Sequence, residues 1–123
     1  MQPKDHRNLV VWQRAIDLGV LIHEIVEEFT LAHSIAYGAQ LRRAAVSVAS
    51  NISEGAARQH RGELIQFLSI ARGSLAEVYA QRVILGRVNL IKPEKLTIVD
   101  DLIDHISRML TKSIQALRRK GGE

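Results

Sequence analysis

Cysteine is missing from this chain of 123 residues, which excludes disulfides, thiolate metal sites and cysteine nucleophiles. Aromatic residues are few, one Trp, two Tyr and two Phe, and none is clustered among basic residues, so the chain lacks the stacking platform used for single-stranded nucleic acid. No apolar run approaches the ~20 residues that span a bilayer. The opening Met-Gln-Pro-Lys-Asp-His-Arg-Asn also lacks the apolar core of a signal peptide. A soluble cytoplasmic protein with no membrane partner is expected. No alternation of period two marks a strand.

What is present is helical periodicity in a chain of single-domain length. The net charge of +4 is moderate and uneven: residues 35–62 hold four basic side chains to one acidic, and a second basic excess lies at the extreme end. Such a balance permits a polyanion partner, although an ordinary solvated surface has similar numbers.

The stretch from Gln40 to Arg58 carries the clearest pattern. Leu41, Ala45, Val48 and Ile52 form an apolar stripe, and Gln40, Arg43, Ser47, Asn51, Glu54 and Arg58 share a polar face beside it. Four amphipathic helices follow from the same periodicity, over residues 9–30, 35–57, 63–86 and 93–119. In the first, Val11, Ala15, Leu18, Ile22, Ile25 and Phe29 make a bundle seam, with Asn8 as candidate N-cap. Leu9, Val10, Val20, Leu21 and Val26 widen its apolar surface beyond the needs of a small monomer. Glu24, Glu27 and Glu28 crowd its C-terminal end, where the dipole disfavours them and a basic neighbour is expected. Ser34 is the candidate N-cap of the second helix.

The third helix repeats the seam at Leu64, Phe67, Ala71, Leu75, Val78 and Leu85, with Arg82 inside it, obliged to reach water or meet a carboxylate. Gly86, Asn89 and Pro93 punctuate the next turn, and Pro93 suits the first position of the last helix, which runs along Leu96, Val99, Ile103, Ile106, Leu110, Ile114 and Leu117. The fold expected is all-α, an antiparallel up-down-up-down four-helix bundle with short links in one domain spanning 1–123.

Three segments carry a resemblance. They are Leu9-Val10-Val11-Trp12-Gln13-Arg14-Ala15, then Gln40 to Ser47 continuing through Asn51-Ile52-Ser53-Glu54-Gly55 to Arg58, and Phe67 to Glu77. In that order they resemble the four-helix-bundle proteins encoded in intervening sequences of bacterial 23S rRNA genes. The resemblance implies a cyclic homo-oligomer, a homopentamer, with no assigned catalytic activity. A similar fold occurs in the accessory protein of diversity-generating retroelements, a pentamer that binds nucleic acid and a reverse transcriptase. The chain departs from the family locally, with Phe29-Thr30 where an aromatic-proline pair is common and Tyr37-Gly38 out of step with an aromatic-glycine pair.

Two sets of residues compete as sites. The polar face of the second helix could hold phosphate through Arg43 and Arg58, with Asn51 and Gln40 on bases. Its mixed signs suit an internal structural network better, joining Gln40, Arg43, Ser47, Asn51 and Glu54 to Ser74 and Glu77, with Gly55 and Gly73 permitting close helix crossing. The last helix carries Arg108, Lys112, Arg118, Arg119 and Lys120 with no acidic residue between His105 and Gly121, more cations than a helix dipole needs. These five are the expected nucleic-acid contact, with Arg42, Arg58 and Arg61 as the alternative. Asp100-Asp101-Leu102-Ile103-Asp104-His105 resembles an aspartate-rich magnesium motif but lacks a second cluster, so a solvated face is expected, with no metal or other cofactor. Trp12 reads as a packing anchor whose indole N–H pairs locally.

The function these features support is non-enzymatic: an oligomer presenting a basic surface to RNA, DNA or a nucleic-acid enzyme. A protein-interaction scaffold without nucleic-acid affinity is the alternative, and a metal-dependent enzyme a more distant one.

Overall fold

The computed structural model describes residues 9–121. The described residues form a four-helix bundle. Helix α1 is Val10–Glu27; α2 is the short Leu31–His33, continued by a π-helical turn Ser34–Gly38 into α3, Ala39–Ala56; α4 is Arg61–Arg87 and α5 Pro93–Lys120. Neighbours in sequence are neighbours in space, and α5 closes the ring by packing on α1. Trp12 near the start of α1 meets Ser53 near the end of α3, Gly55 faces Leu64, and Gly86 near the end of α4 faces Leu96 near the start of α5. No described helix is long and apolar enough to cross a membrane.

The seams lie where the periodicity puts them. Ala15, Leu18, Ile22 and Ile25 of α1, all four stripe residues of α3, and Val99, Ile103, Ile106, Leu110 and Ile114 of α5 are buried. In α4 the centre of the seam, Ala71, Leu75 and Val78, is buried with Leu85, whereas Leu64 and Phe67 at its start are half-buried. Of the extra apolar residues on α1, Leu21 and Val26 are core, and Val10 and Val20 are exposed.

The first connection differs from expectation. The second helix begins at Leu31, not after Ser34, because Thr30 is its cap: the Thr30 hydroxyl accepts from the His33 N–H at 3.2 Å. Ser34 lies inside the rod, where its hydroxyl accepts a long 3.4 Å contact from Arg42 Nη2. The π turn ends at Gly38, which is buried against α1; a Cβ there would stand 2.7 Å from Val26 Cγ1. The first helix stops at Glu27 instead of reaching Thr30, and its N-cap position is Leu9, with no side-chain cap bond. Asn8 lies outside the described residues.

The α4–α5 turn is a Schellman closure. Asn89 takes the left-handed conformation at φ 61°, its N–H bonds to the Gly86 carbonyl at 3.1 Å, and the Leu90 N–H reaches the Leu85 carbonyl at 2.9 Å. Pro93 then occupies the first turn of α5, where its missing N–H costs nothing.

Candidate nucleic-acid interface

One end of the bundle collects cations from two distant parts of the chain. The last turns of α3 and α5 and the first turns of α1 and α4 meet around a cleft of about 230 Å³, lined by Leu9 and Val11, Ile52, Leu64 and Leu68, and Leu117 among others. The α3–α4 turn brings Arg58 and Arg61 to this end, and α5 brings Arg118, Arg119 and Lys120, all exposed. Arg58 is already engaged: Nη2 lies 2.9 Å from Glu54 Oε2, Nη1 lies 3.9 Å from Glu63 Oε2, and the guanidinium sits 4.9 Å from the centre of the Phe67 ring. Arg118, Arg119 and Lys120 suit the negative end of α5, but Arg61 stands at the first position of α4, where the dipole disfavours a cation.

The other candidate cations are elsewhere. Arg108 Nε is 3.1 Å from Asp104 Oδ2, and Lys112 is exposed one turn further on. Arg42 is fourteen residues before Ala56, the last residue of the same rod, about 21 Å at 1.5 Å per residue from the turn that holds Arg58. Its side chain is half-buried beside the π turn, with Nε enclosed and without a hydrogen-bond partner. It therefore does not join the basic end.

The polar face of α3 divides in two. Ser47 Oγ and Ser74 Oγ are 2.7 Å apart between α3 and α4, and Asn51 Nδ2 donates to the Ser47 carbonyl at 2.8 Å and to its hydroxyl at 3.0 Å. Beside this trio an open cleft of about 320 Å³ is lined by Gln40, Arg43, Ser47, Ser74, Glu77 and Gln81. Arg43 and Glu77 are exposed on its walls, and Glu54 lies about two turns beyond it, paired with Arg58. The internal part of the network is thus Ser47, Asn51 and Ser74. Arg43 and Glu54 stay outside it, Arg43 exposed and Glu54 held by Arg58. Gly55 fits close crossing, since its Cβ would meet Phe67 Cβ at 3.0 Å; Gly73 does not, having nothing within 4 Å. Gln81 was not singled out from sequence, although it stands four residues after Glu77 and seven after Ser74 on one helical face.

Arg82 meets Asp100. Its Nε and Nη2 donate to the two carboxylate oxygens at 2.6 and 2.7 Å, a bidentate pair joining α4 to α5. Hydrogen bonding to Asp100 raises the guanidinium pKa above its ordinary value, against the opposing effect of burial. Asp100 is thereby taken from the aspartate-rich run, while Asp101, Asp104 and His105 are exposed. Among the described residues, no three His, Cys, Asp or Glu side chains come together. Trp12 Nε1 donates to Ser53 Oγ at 2.8 Å, with its ring against the core. Near the acidic end of α1, Glu28 shares a cleft with Lys92 and Lys95, the basic neighbours its position calls for.

Comparison with known proteins places the chain. Its fold is similar to that of a protein of unknown function from the S23 ribosomal protein family of Bacteroides thetaiotaomicron, with a TM-score of 0.81 and 22% identity over 94% of this chain and 99% of the other. No curated protein shows significant similarity in sequence. The model of the 23S rRNA-intervening sequence proteins matches residues 7–112, nearly the whole bundle, and the chain belongs to that family.

Proposed function

We propose that this protein is a nucleic-acid-binding helical bundle, acting by binding and not by catalysis, whose contact is the end of the bundle carrying Arg61, Arg118, Arg119 and Lys120. The observation that carries the reading is the convergence of these four cations, from two segments far apart in sequence, at a place where the carboxylates of Glu54 and Glu63 are both engaged with Arg58. Arg61 weakens its own helix by its position, so local stability does not account for it. Contacts of this kind read phosphate and fix orientation without base specificity, so RNA, DNA or a nucleic-acid enzyme carrying its own strand would meet the same surface.

The protomer runs up-down-up-down with antiparallel neighbours, supported by the end-to-start contacts of Trp12 with Ser53 and Gly86 with Leu96. It assembles into a homo-oligomer, a pentamer by the family resemblance, in the cytoplasm. Support for assembly comes from exposed Ile16, Val20 and Val46 around an apolar groove of about 340 Å³ between α1 and α3. A cyclic assembly would repeat the basic end around its axis.

The test is binding of a fluorescent RNA duplex at several salt concentrations. Four phosphate contacts per protomer correspond to a log–log slope of about −3 to −4 for each protomer engaged. Replacing Arg61, Arg118, Arg119 and Lys120 by Gln should abolish binding and leave helix content and assembly unchanged, whereas Arg108→Gln with Lys112→Gln should have a smaller effect. No binding by the parent protein at low salt would support the protein-interaction scaffold instead.

A further inference from the structure

The cleft at the basic end has a chemistry that phosphate binding does not use. Leu9 ahead of α1, Leu64 and Leu68 of α4 and Leu117 of α5 dominate its walls, and no acidic side chain among the described residues lines it. It is open because α5 presents Ser113 and Ala116 there, small side chains where larger ones would fill the space. Helical spacing then sets charge at its mouth. Arg61 precedes Leu64 by three residues and Leu68 by seven, so it shares their face of α4 one turn outward. Lys120 follows Leu117 by three and Ser113 by seven, on the same face of α5. Both cations are exposed. An apolar slot with a two-cation rim is complementary to an amphipathic anion.

We infer that this cleft binds a straight-chain aliphatic carboxylate, its tail between α1, α4 and α5 and its headgroup between Arg61 and Lys120. The volume of about 230 Å³ is roughly eight times the ~30 Å³ that a water occupies in the liquid. Methylene groups are of similar size, so a tail of about eight carbons fills it. The site shares two cations with the proposed nucleic-acid contact, but it rests on the apolar cleft, and a failure of nucleic-acid binding leaves it standing.

The experiment is calorimetric titration of the full-length protein with hexanoate, octanoate and decanoate below their micelle concentrations, and with octyltrimethylammonium. One carboxylate should bind per chain, with affinity rising about fourfold per methylene up to about eight carbons and then levelling. The ammonium should give no saturable heat. Arg61→Gln with Lys120→Gln should weaken octanoate binding about tenfold with unchanged melting, and Ala116→Leu should remove it by filling the slot. If Ala116→Leu does not fold, octanoate should shift the methyl resonances of Leu64 and Leu117 in the parent protein and leave those of Val20 and Val46 in place. Absence of saturable binding, several carboxylates per chain, equal binding of the cation, or shifts centred on the α1–α3 groove would each overturn the assignment.

Discussion

Two glycine-to-alanine substitutions, identical in chemistry and both within helical segments, should differ in stability by the contacts that the new methyl meets. Gly38 has an ordinary helical φ of −63°, so no left-handed backbone requires it; contact alone does. An added Cβ would lie 2.7 Å from Val26 Cγ1 and 3.2 Å from Ser34 Oγ, and Val26 is 2% exposed with little room to yield. Overpacking of this kind costs about 1–3 kcal/mol, against about 1 kcal/mol of helix propensity gained. At Gly73 the same propensity gain meets nothing within 4 Å. Propensity cancels between the two variants, so they should differ by the overpacking cost of about 1–3 kcal/mol. With an unfolding entropy of about 2.1 cal/mol/K per residue, a chain of this length shifts its Tm by about 4 °C per kcal/mol. Gly73→Ala should therefore melt about 4 °C above the parent, and Gly38→Ala about 4–12 °C below Gly73→Ala. Thermal melts followed by far-ultraviolet circular dichroism at one fixed protomer concentration measure this. Adding Val26→Ala to Gly38→Ala should give a favourable coupling of about 1 kcal/mol, because the new methyl fills the space that the valine leaves. A Gly38→Ala protein that melts at or above Gly73→Ala would refute the packing of the π turn on α1.

Arg82→Ala should cost about 1–2 kcal/mol by urea denaturation, below the value for a fully buried pair because the Asp100 side chain is 41% exposed. Since the folded-state pKa of Arg82 is raised, its contribution is present throughout the range below the ordinary guanidinium value, and the loss should be the same at neutral and mildly alkaline pH. Ser74→Ala should cost about 1 kcal/mol by removing a paired, buried hydroxyl, while Arg43→Ala on the cleft wall should stay within about 0.5 kcal/mol, both read from the urea midpoint. Val46→Glu places a charge in the apolar groove of α1 and α3 and should shift the proposed oligomer toward monomer by light scattering, with the helix content kept. An unchanged mass would remove that face from the assembly.

The bundle was legible because its determinants are local and periodic. An apolar residue every three or four positions specifies a buried face whatever the partner, so the stripe from Leu41 to Ile52 and the α5 seam could be placed without contacts. Pro93 and Asn89 are punctuation with a backbone reason. The first turn was harder to read because Thr30 and Ser34 are both hydroxyl caps by type, and Leu31 to Ser34 contains no glycine or proline to forbid a helix. What decides between them includes the way the rod meets α1. Gly38 presses on Val26 at the end of a π turn, and neither residue announces the other in sequence. Gly73 shows the converse: a glycine in a helix suggests close crossing, yet only a neighbour within reach makes that true.

The candidate site was legible in its ingredients but not in its grouping. A sequence displays Arg108, Lys112 and Arg119 as one helical face, and it cannot show that Arg108 sits against Asp104 or that Arg42 is folded in beside the π turn. Short links between four helices do carry one long-range consequence. When each turn is tight, the start of α4 meets the end of α5, and Leu64 and Leu117 line one cleft although fifty-three positions separate them. The cleft between them has no such signature. It depends on Ser113 and Ala116 being small where Leu64 and Leu68 of α4 and Val11 of α1 share the lining, and in the sequence those two residues are indistinguishable from ordinary helix formers on a partly solvated face. Cation placement thus follows from connectivity, whereas the apolar slot follows from the volumes of side chains on four different helices. It is the slot that would let this end of the bundle recognise something besides phosphate.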